Sequence, residues 1–192
     1  MKVLAIELLH QRSDPVILAK AMELSSFGYF KQSTIREMID FFCQTIVKRT
    51  AVGQRQSVTA EDYVCHVFVR QDGLAGVFVC DDEYPTRVAF SVLTKVVEQY
   101  SLEHSSGSWA TSTWPPLVES LKDAQDPKKI DKIAAIQSEL DDTTEILRRT
   151  IQDTLKRGEQ LDELVTKSKT LSVQSQVFYT RARATNSCCI LM

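Results

Sequence analysis

Leu155-Lys156-Arg157-Gly158-Glu159-Gln160-Leu161-Asp162-Glu163-Leu164 sets a single cation among leucines at helical spacing. Steps of three and four outward from Arg157 reach Thr154, Thr150, Leu147, Thr143, Leu140, Ile136 and Ile133 on one side. On the other they reach Leu161, Leu164, Ser168, Leu171, Ser175, Phe178, Ala182 and Thr185. Of these sixteen positions nine are apolar, six carry a small hydroxyl and one is arginine. A 3-4 repeat held for more than seven heptads, with Gly158 its only glycine and no proline, predicts a coiled-coil helix. Ile146, Ile151 and Val165 flank the seam and widen the apolar face toward that of a bundle. One helix cannot bury such a face on itself. It needs partner helices, or it lies on another part of the chain.

Arg157 admits two readings. It is a solvated charge in a loose coil, or a buried cation whose five donors meet acceptors from neighbouring helices. A buried polar layer sacrifices stability to fix register, and Leu147, Leu161 and Leu164 would shield it.

Downstream the charges are sorted. Asp131 to Glu163 holds nine acids and five bases, whereas beyond Glu163 only Lys167, Lys169, Arg181 and Arg183 remain. That end of the tail attracts an anionic surface. The last residues, Cys188-Cys189-Ile190-Leu191-Met192, contain a C-a-a-X box at Cys189, and a terminal Met favours a farnesyl group. One lipid gives marginal, reversible membrane binding and two give stable anchoring, so Cys188 is a candidate site for a reversible palmitoyl chain.

Upstream, the order ββαβββα predicts an α+β head with an antiparallel sheet between helices. Val3 to Leu9 and Pro15 to Ala19 read as a first hairpin, and Tyr63 to Arg70 and Leu74 to Cys80 as a second around Gln71-Asp72-Gly73. A weaker strand precedes the second hairpin near Gln54 to Thr59. Thr34 to Lys48 carries a helical face of Ile35, Met38, Ile39, Phe42 and Ile46, with Ser33 or Thr34 as a cap and Glu37 reaching back. A second helix opens after Pro85 and turns Ala89, Leu93, Val96, Val97 and Tyr100 to the sheet. Phe41 and Phe42 cannot both face one sheet, so this aromatic cluster is core with a candidate groove for an apolar guest. Ala124-Gln125-Asp126-Pro127 reads as a hinge.

Composition limits the functions. The 192 residues are 43% hydrophobic with a net charge of −2, too balanced for nucleic acid to be the main partner. No apolar run is long enough to span a bilayer. Cys43, Cys65 and Cys80 have no metal-ligand spacing and read as buried hydrophobes. His66 reads as a strand side chain with one hydrogen bond. No catalytic, metal or cofactor motif stands out.

The stretch around Arg157 resembles the centre of an R-SNARE motif. The head resembles a longin (profilin-like) domain, with Asp82-Glu83-Tyr84-Pro85-Thr86-Arg87-Val88-Ala89-Phe90 close to one type's signature. With Asn186-Ser187-Cys188-Cys189, the whole chain is similar to the Ykt-type prenylated synaptobrevin family.

The resemblance implies a longin domain over 1–122 with a five-stranded sheet, a linker over 123–130, an R-SNARE helix over 131–187 and a lipidation tail over 188–192. It implies no enzyme, and an R-SNARE of intracellular transport (ER–Golgi, intra-Golgi, endosome, lysosome or vacuole, autophagosome). Arg157 would be the ionic zero layer, and Ile133, Ile136, Leu140, Leu147, Leu161, Leu164, Leu171 and Phe178 would form layers with three Q-SNARE helices. Disassembly and tethering machinery would be further partners. Cys189 would be farnesylated, trimmed of 190–192 and methylated, and Cys188 palmitoylated or given a second prenyl group. A closed cytosolic form would fold the tail on the head with the lipid in an apolar groove. Leu155, Val173 and Val177, off the layer face, are its expected docking contacts. The rivals are a lipid-anchored longin adaptor that joins no bundle and a cysteine-dependent acyltransferase.

Overall fold

The computed structural model describes residues 1–104, 109, 111–130, 146–156 and 158–188, residues 185–188 by their backbone. β1 (Val3–His10) and β2 (Val16–Met22) form a hairpin, and α1 (Tyr29–Val47) follows. A meander of β3 (Arg55–Ala60), β4 (Tyr63–Val69) and β5 (Leu74–Asp81) then leads to α2 (Thr86–Glu103) and α3 (Pro115–Ala124). The order β2-β1-β5-β4-β3 is antiparallel throughout, which is the expected head sheet. β1 and β5 are buried along nearly their whole length because helices cover both faces. Phe78, Leu93 and Tyr100 centre the core under α2, and Met38, Ile46 and Val77 the core under α1.

Two glycines carry distinct duties. Gly73, at φ 82°, turns the β4–β5 hairpin. Gly76 lets α2 approach bare backbone, since a Cβ there would stand 2.6 Å from Val97 Cγ2.

α1 begins at Tyr29, five residues ahead of the start that Ser33 and Thr34 suggested, with Gly28 as an N-cap that makes no side-chain bond. The preceding loop makes the early start possible. Phe27 N–H donates to Leu24 O at 3.0 Å and Gln32 Nε2 donates to Phe27 O at 3.1 Å. Aromatic residues cost a helix only a few tenths of a kcal/mol each. Glu37 is thereby freed from capping. At the far end of the head, Tyr84 Oη donates to Ala124 O at 2.9 Å, and Gln125 Nε2 donates to Val3 O at 2.8 Å. Both contacts fasten the end of α3 to the head.

The described tail is not one helix. Ile146–Thr150 forms β6, a sixth strand that adds parallel to β3 from Arg55↔Ile146 to Thr59↔Thr150. Short helices α4 (Ile151–Thr154) and α5 (Leu161–Lys167) lead to α6 (Val173–Cys188). This corrects both the unbroken coiled-coil helix and the five-strand count. The physical reason is burial: segments that break and follow the head put Ile151, Leu161, Val165 and Leu171 into the core under α1. Gly158, at φ 88°, supplies one break. Thr150 and Asp153 form a capping box that starts α4. β6 also covers the β3 edge, which would otherwise present unpaired backbone groups. Ile133, Ile136, Leu140, Thr143, Arg157 and Cys189 lie outside the described residues.

Candidate functional site

The tail covers the α1 face of the head. Ile151, Leu161, Val165 and Leu171 are buried in the same core as Met38 and Ile46, and Leu155, Leu164 and Tyr179 pack half-buried against it. Most described heptad positions point inward: Thr154, Leu161, Leu171 and Ser175 are buried and Leu164, Ser168 and Phe178 half-buried, whereas Thr150 and Ala182 are exposed. Leu147 is half-buried on β6. Of the three expected docking residues only Leu155 packs on the head. Val173 is 77% exposed and Val177 43%. Once the helix is broken, each short segment turns its most apolar side inward, and that side takes in most of the described layer positions together with the flanking Ile151 and Val165. The layer face cannot serve the head and a helical bundle at the same time.

Three polar contacts fix this arrangement. Arg49 Nη2 meets Glu159 Oε2 at 2.8 Å. Glu37 Oε2 accepts from the Ser172 backbone N–H at 2.9 Å and from Ser175 Oγ at 2.7 Å. Asp162 Oδ1 accepts from Tyr179 Oη at 3.0 Å and from Arg183. The sequence carried no signal for the first two, whose partners stand more than a hundred residues apart.

The amides and hydroxyls of Ser172 and Ser175 hold the Glu37 carboxyl below its ordinary value, and the Arg49 guanidinium does the same for Glu159. Carboxyls lowered by docking stabilise the docked state above their free values near 4.5, and that stabilisation is lost as pH falls through the lowered values. Energy transfer between dyes on α1 and α6 should therefore hold at neutral pH and fall below about pH 4.5. A Glu37→Gln/Glu159→Gln variant should start lower and respond less over that range.

Between α1, the sheet and the tail runs an apolar groove of about 620 Å³. Phe27, Ile35, Met38, Phe42 and Ile46 line one wall, Leu4, Cys65 and Val79 the floor, and Leu161, Phe178 and Ala182 the tail side. Such a volume suits an apolar ligand. Phe42 lines the groove, whereas Phe41 is buried beside it with its ring 5.8 Å away. Glu61, Tyr63 and Arg183 stand at the groove's polar end. Five residues beyond Arg183, about 7.5 Å of helix rise, α6 reaches Cys188.

The head thiols do not form a reactive centre. Cys43, Cys65 and Cys80 are free and buried. Burial pushes the Cys65 thiol up to about 12. His66 is its neighbour in β4 and points to the opposite face. There its Nδ1 lies 2.8 Å from Ser57 Oγ, and burial lowers it to about 4. Of the four tail cations, Lys167 pairs with Glu163 at 2.8 Å and Arg183 with Asp162, while Lys169 and Arg181 lie on the exposed surface. No helix among the described residues is long and apolar enough to cross a membrane.

A family model described as a regulated-SNARE-like (longin) domain matches residues 24–123, and the synaptobrevin model matches residues 132–190. Synaptobrevin homolog YKT6 of Yarrowia lipolytica is 44% identical over 200 aligned residues, covering all of both chains. The homologue ykt6 of Schizosaccharomyces pombe is 42% identical over 196, and the VAMP-like protein YKT61 of Arabidopsis thaliana 44% over 201, again over full lengths. With its antiparallel head, its layered tail and these matches from end to end, the chain belongs to the Ykt6-type longin R-SNAREs.

Proposed function

We propose that this chain drives docking and fusion of intracellular transport vesicles by zippering residues 131–187 into a parallel four-helix bundle. Its partners in that bundle are three Q-SNARE helices, one each of the Qa, Qb and Qc kinds. Membership of the R-SNAREs gives the role in vesicle transport. The transport steps (ER–Golgi, intra-Golgi, endosome to lysosome or vacuole, autophagosome), the partners and the tethering and disassembly machinery belong to the proposal. Arg157 supplies the zero layer, where its fixed fork of donors meets acceptor side chains of the three partners. Assembly starts near Ile133 and runs toward the lipidated end, which draws two bilayers together.

The observation that carries this reading is the identity of the two faces. The stripe that would zipper, including Leu161, Leu171 and Ser175, is the stripe buried against the head. The longin head (1–122) accordingly restrains its own tail, with 123–130 as the linker, and the groove around Phe42 shelters the farnesyl group of Cys189. A palmitoyl or second prenyl group on Cys188 makes attachment durable, and Lys167, Lys169, Arg181 and Arg183 add attraction to the cytoplasmic face of Golgi, ER, endosomal and vacuolar membranes.

Circular dichroism of residues 131–187 mixed with a Q-SNARE helix set tests the bundle. The mixture should gain heat-resistant helix, and Leu164→Asp should lower its melting by well over 10 °C through a buried unpaired charge. The full chain should assemble more slowly than the isolated tail. No helix gain with any cognate set would count against a fusion role.

A further inference from the structure

Among the described residues of the head, Met1, Val16, Tyr29, Phe30, Val52, Tyr63, Leu102 and Val118 are the large apolar side chains left exposed when the tail is docked, and the three aromatic ones share one end. Tyr29 is 82% exposed, Phe30 87% and Tyr63 36%. Pairings Ala5↔Met22, Val3↔Cys80 and Ala60↔Tyr63 put the start of β1, the ends of β2, β3 and β5 and the start of β4 on the same edge of the sheet. α1 begins seven residues after β2 ends, so Tyr29 and Phe30 stand at that edge as well. Phe27, two residues before Tyr29, lines the groove together with Tyr63 and Arg183. α6 runs past the same edge toward Cys188. The exposed aromatics therefore frame the groove at the end where the lipid-bearing terminus arrives.

Their display is fixed. The rings of Tyr29 and Phe30 pack edge to face at 5.7 Å, and Gln32 holds the loop beneath through Phe27 O. At ~150–250 Å² for a whole aromatic side chain, the two expose roughly 300–400 Å², comparable to the largest apolar patch of a typical monomer. A patch of that size marks an interaction site. Aromatic rings, with the phenol tips of Tyr29 and Tyr63, fit the headgroup level of a bilayer.

Charge decides the kind of bilayer. Lys2, Lys31 and Arg183 stand at this edge with the N-terminal ammonium, which pairs with Glu83 at 3.6 Å, and together they largely offset the exposed acids Glu23, Glu61 and Asp62. With no strong net charge at the edge, the aromatic rings carry the contact, which suits a neutral surface.

We propose that Tyr29, Phe30 and Tyr63 form a landing surface by which the closed chain meets a neutral bilayer with its groove end facing the lipid. The inference rests on the reading that Cys189 carries a prenyl group sheltered in the groove. Landing brings the groove end against the acyl layer, and the chain's lipid crosses without passing through water. The tail opens after transfer, once the groove side of α6 has lost its occupant.

The test uses the farnesylated full chain and unilamellar vesicles of phosphatidylcholine and phosphatidylethanolamine. Tyr29→Ser/Phe30→Ser should land roughly tenfold more slowly in stopped flow, with unchanged thermal melting since both side chains are exposed. Phe30→Trp should add a blue-shifted indole signal on vesicles over the background of Trp109 and Trp114. Equal rates for parent and double-serine variant, with no shift of the added indole, would overturn the landing surface and leave the pair to a protein partner. The lipid reading fails separately: the parent would then bind no better than a chain with Cys188→Ser/Cys189→Ser.

Discussion

Val165→Asp releases the tail and leaves the head folded. Val165 is 1% exposed, lies on α5 and packs into the core beneath α1. A carboxylate there would be buried among the apolar side chains beneath α1. Burying it unpaired costs several kcal/mol, and undocking the segment avoids that cost. At about 3 kcal/mol the open fraction rises by roughly a hundredfold. Limited trypsin digestion should then cut rapidly after Lys167, Lys169 and Arg181 while the head persists as a resistant core with unchanged far-ultraviolet dichroism. Val173→Asp is the control, because Val173 is 77% exposed and its replacement should leave cleavage as in the parent. Equal cleavage of Val165→Asp and parent would mean the tail is not held through this contact.

Cys189→Ser should abolish stable membrane attachment. No described helix can cross a bilayer, and the prenyl chain proposed for Cys189 would supply about 0.8 kcal/mol for each buried CH₂. Loss of that term cannot be offset by four basic residues, which contribute about 1 kcal/mol each beside anionic lipid and less when paired. Two of them, Lys167 and Arg183, already engage acids in the docked tail. Flotation of cell extracts should place Cys189→Ser in the soluble fraction almost completely. Cys188→Ser, left with one chain, should divide between soluble and floated fractions and exchange quickly between vesicles. Flotation of Cys189→Ser equal to that of the parent would remove the lipid anchor from the account.

The two experiments probe opposite ends of one equilibrium. Docking hides Leu161, Leu171 and Ser175, and the proposed attachment would place the chain where its proposed partners are met. A variant that opens without attachment should assemble in solution to no effect on bilayers. One that attaches without opening should decorate membranes and mix none of them.

Much of the head was legible in the sequence because its signals are local. Short apolar and β-rich runs marked the strands, Gln71-Asp72-Gly73 the hairpin, and the apolar spacing of Ala89, Leu93, Val96, Val97 and Tyr100 the buried face of α2. The start of α1 was misplaced because its true first turn has no side-chain cap, and the capping pattern at Ser33 and Glu37 is used otherwise. Helical spacing already set Phe42 on one face with Ile35, Met38, Ile39 and Ile46, and that face lines the groove, whereas only the packed structure showed Phe41 buried beside it.

For the tail the sequence determined which residues are apolar and at what period, and hence that the stripe must be buried. It did not determine against what. A heptad stripe is satisfied by three other helices or by a head domain that breaks the helix at Gly158 and takes residues 146–150 as a strand. Both solutions remove side chains such as Leu161 and Leu171 from water, so hydrophobic periodicity cannot separate them. Contacts such as Arg49 with Glu159 and Glu37 with Ser175 do separate them, and they exist only in the folded chain. Burial is a property of residue type and spacing, and choice of partner is a property of tertiary structure.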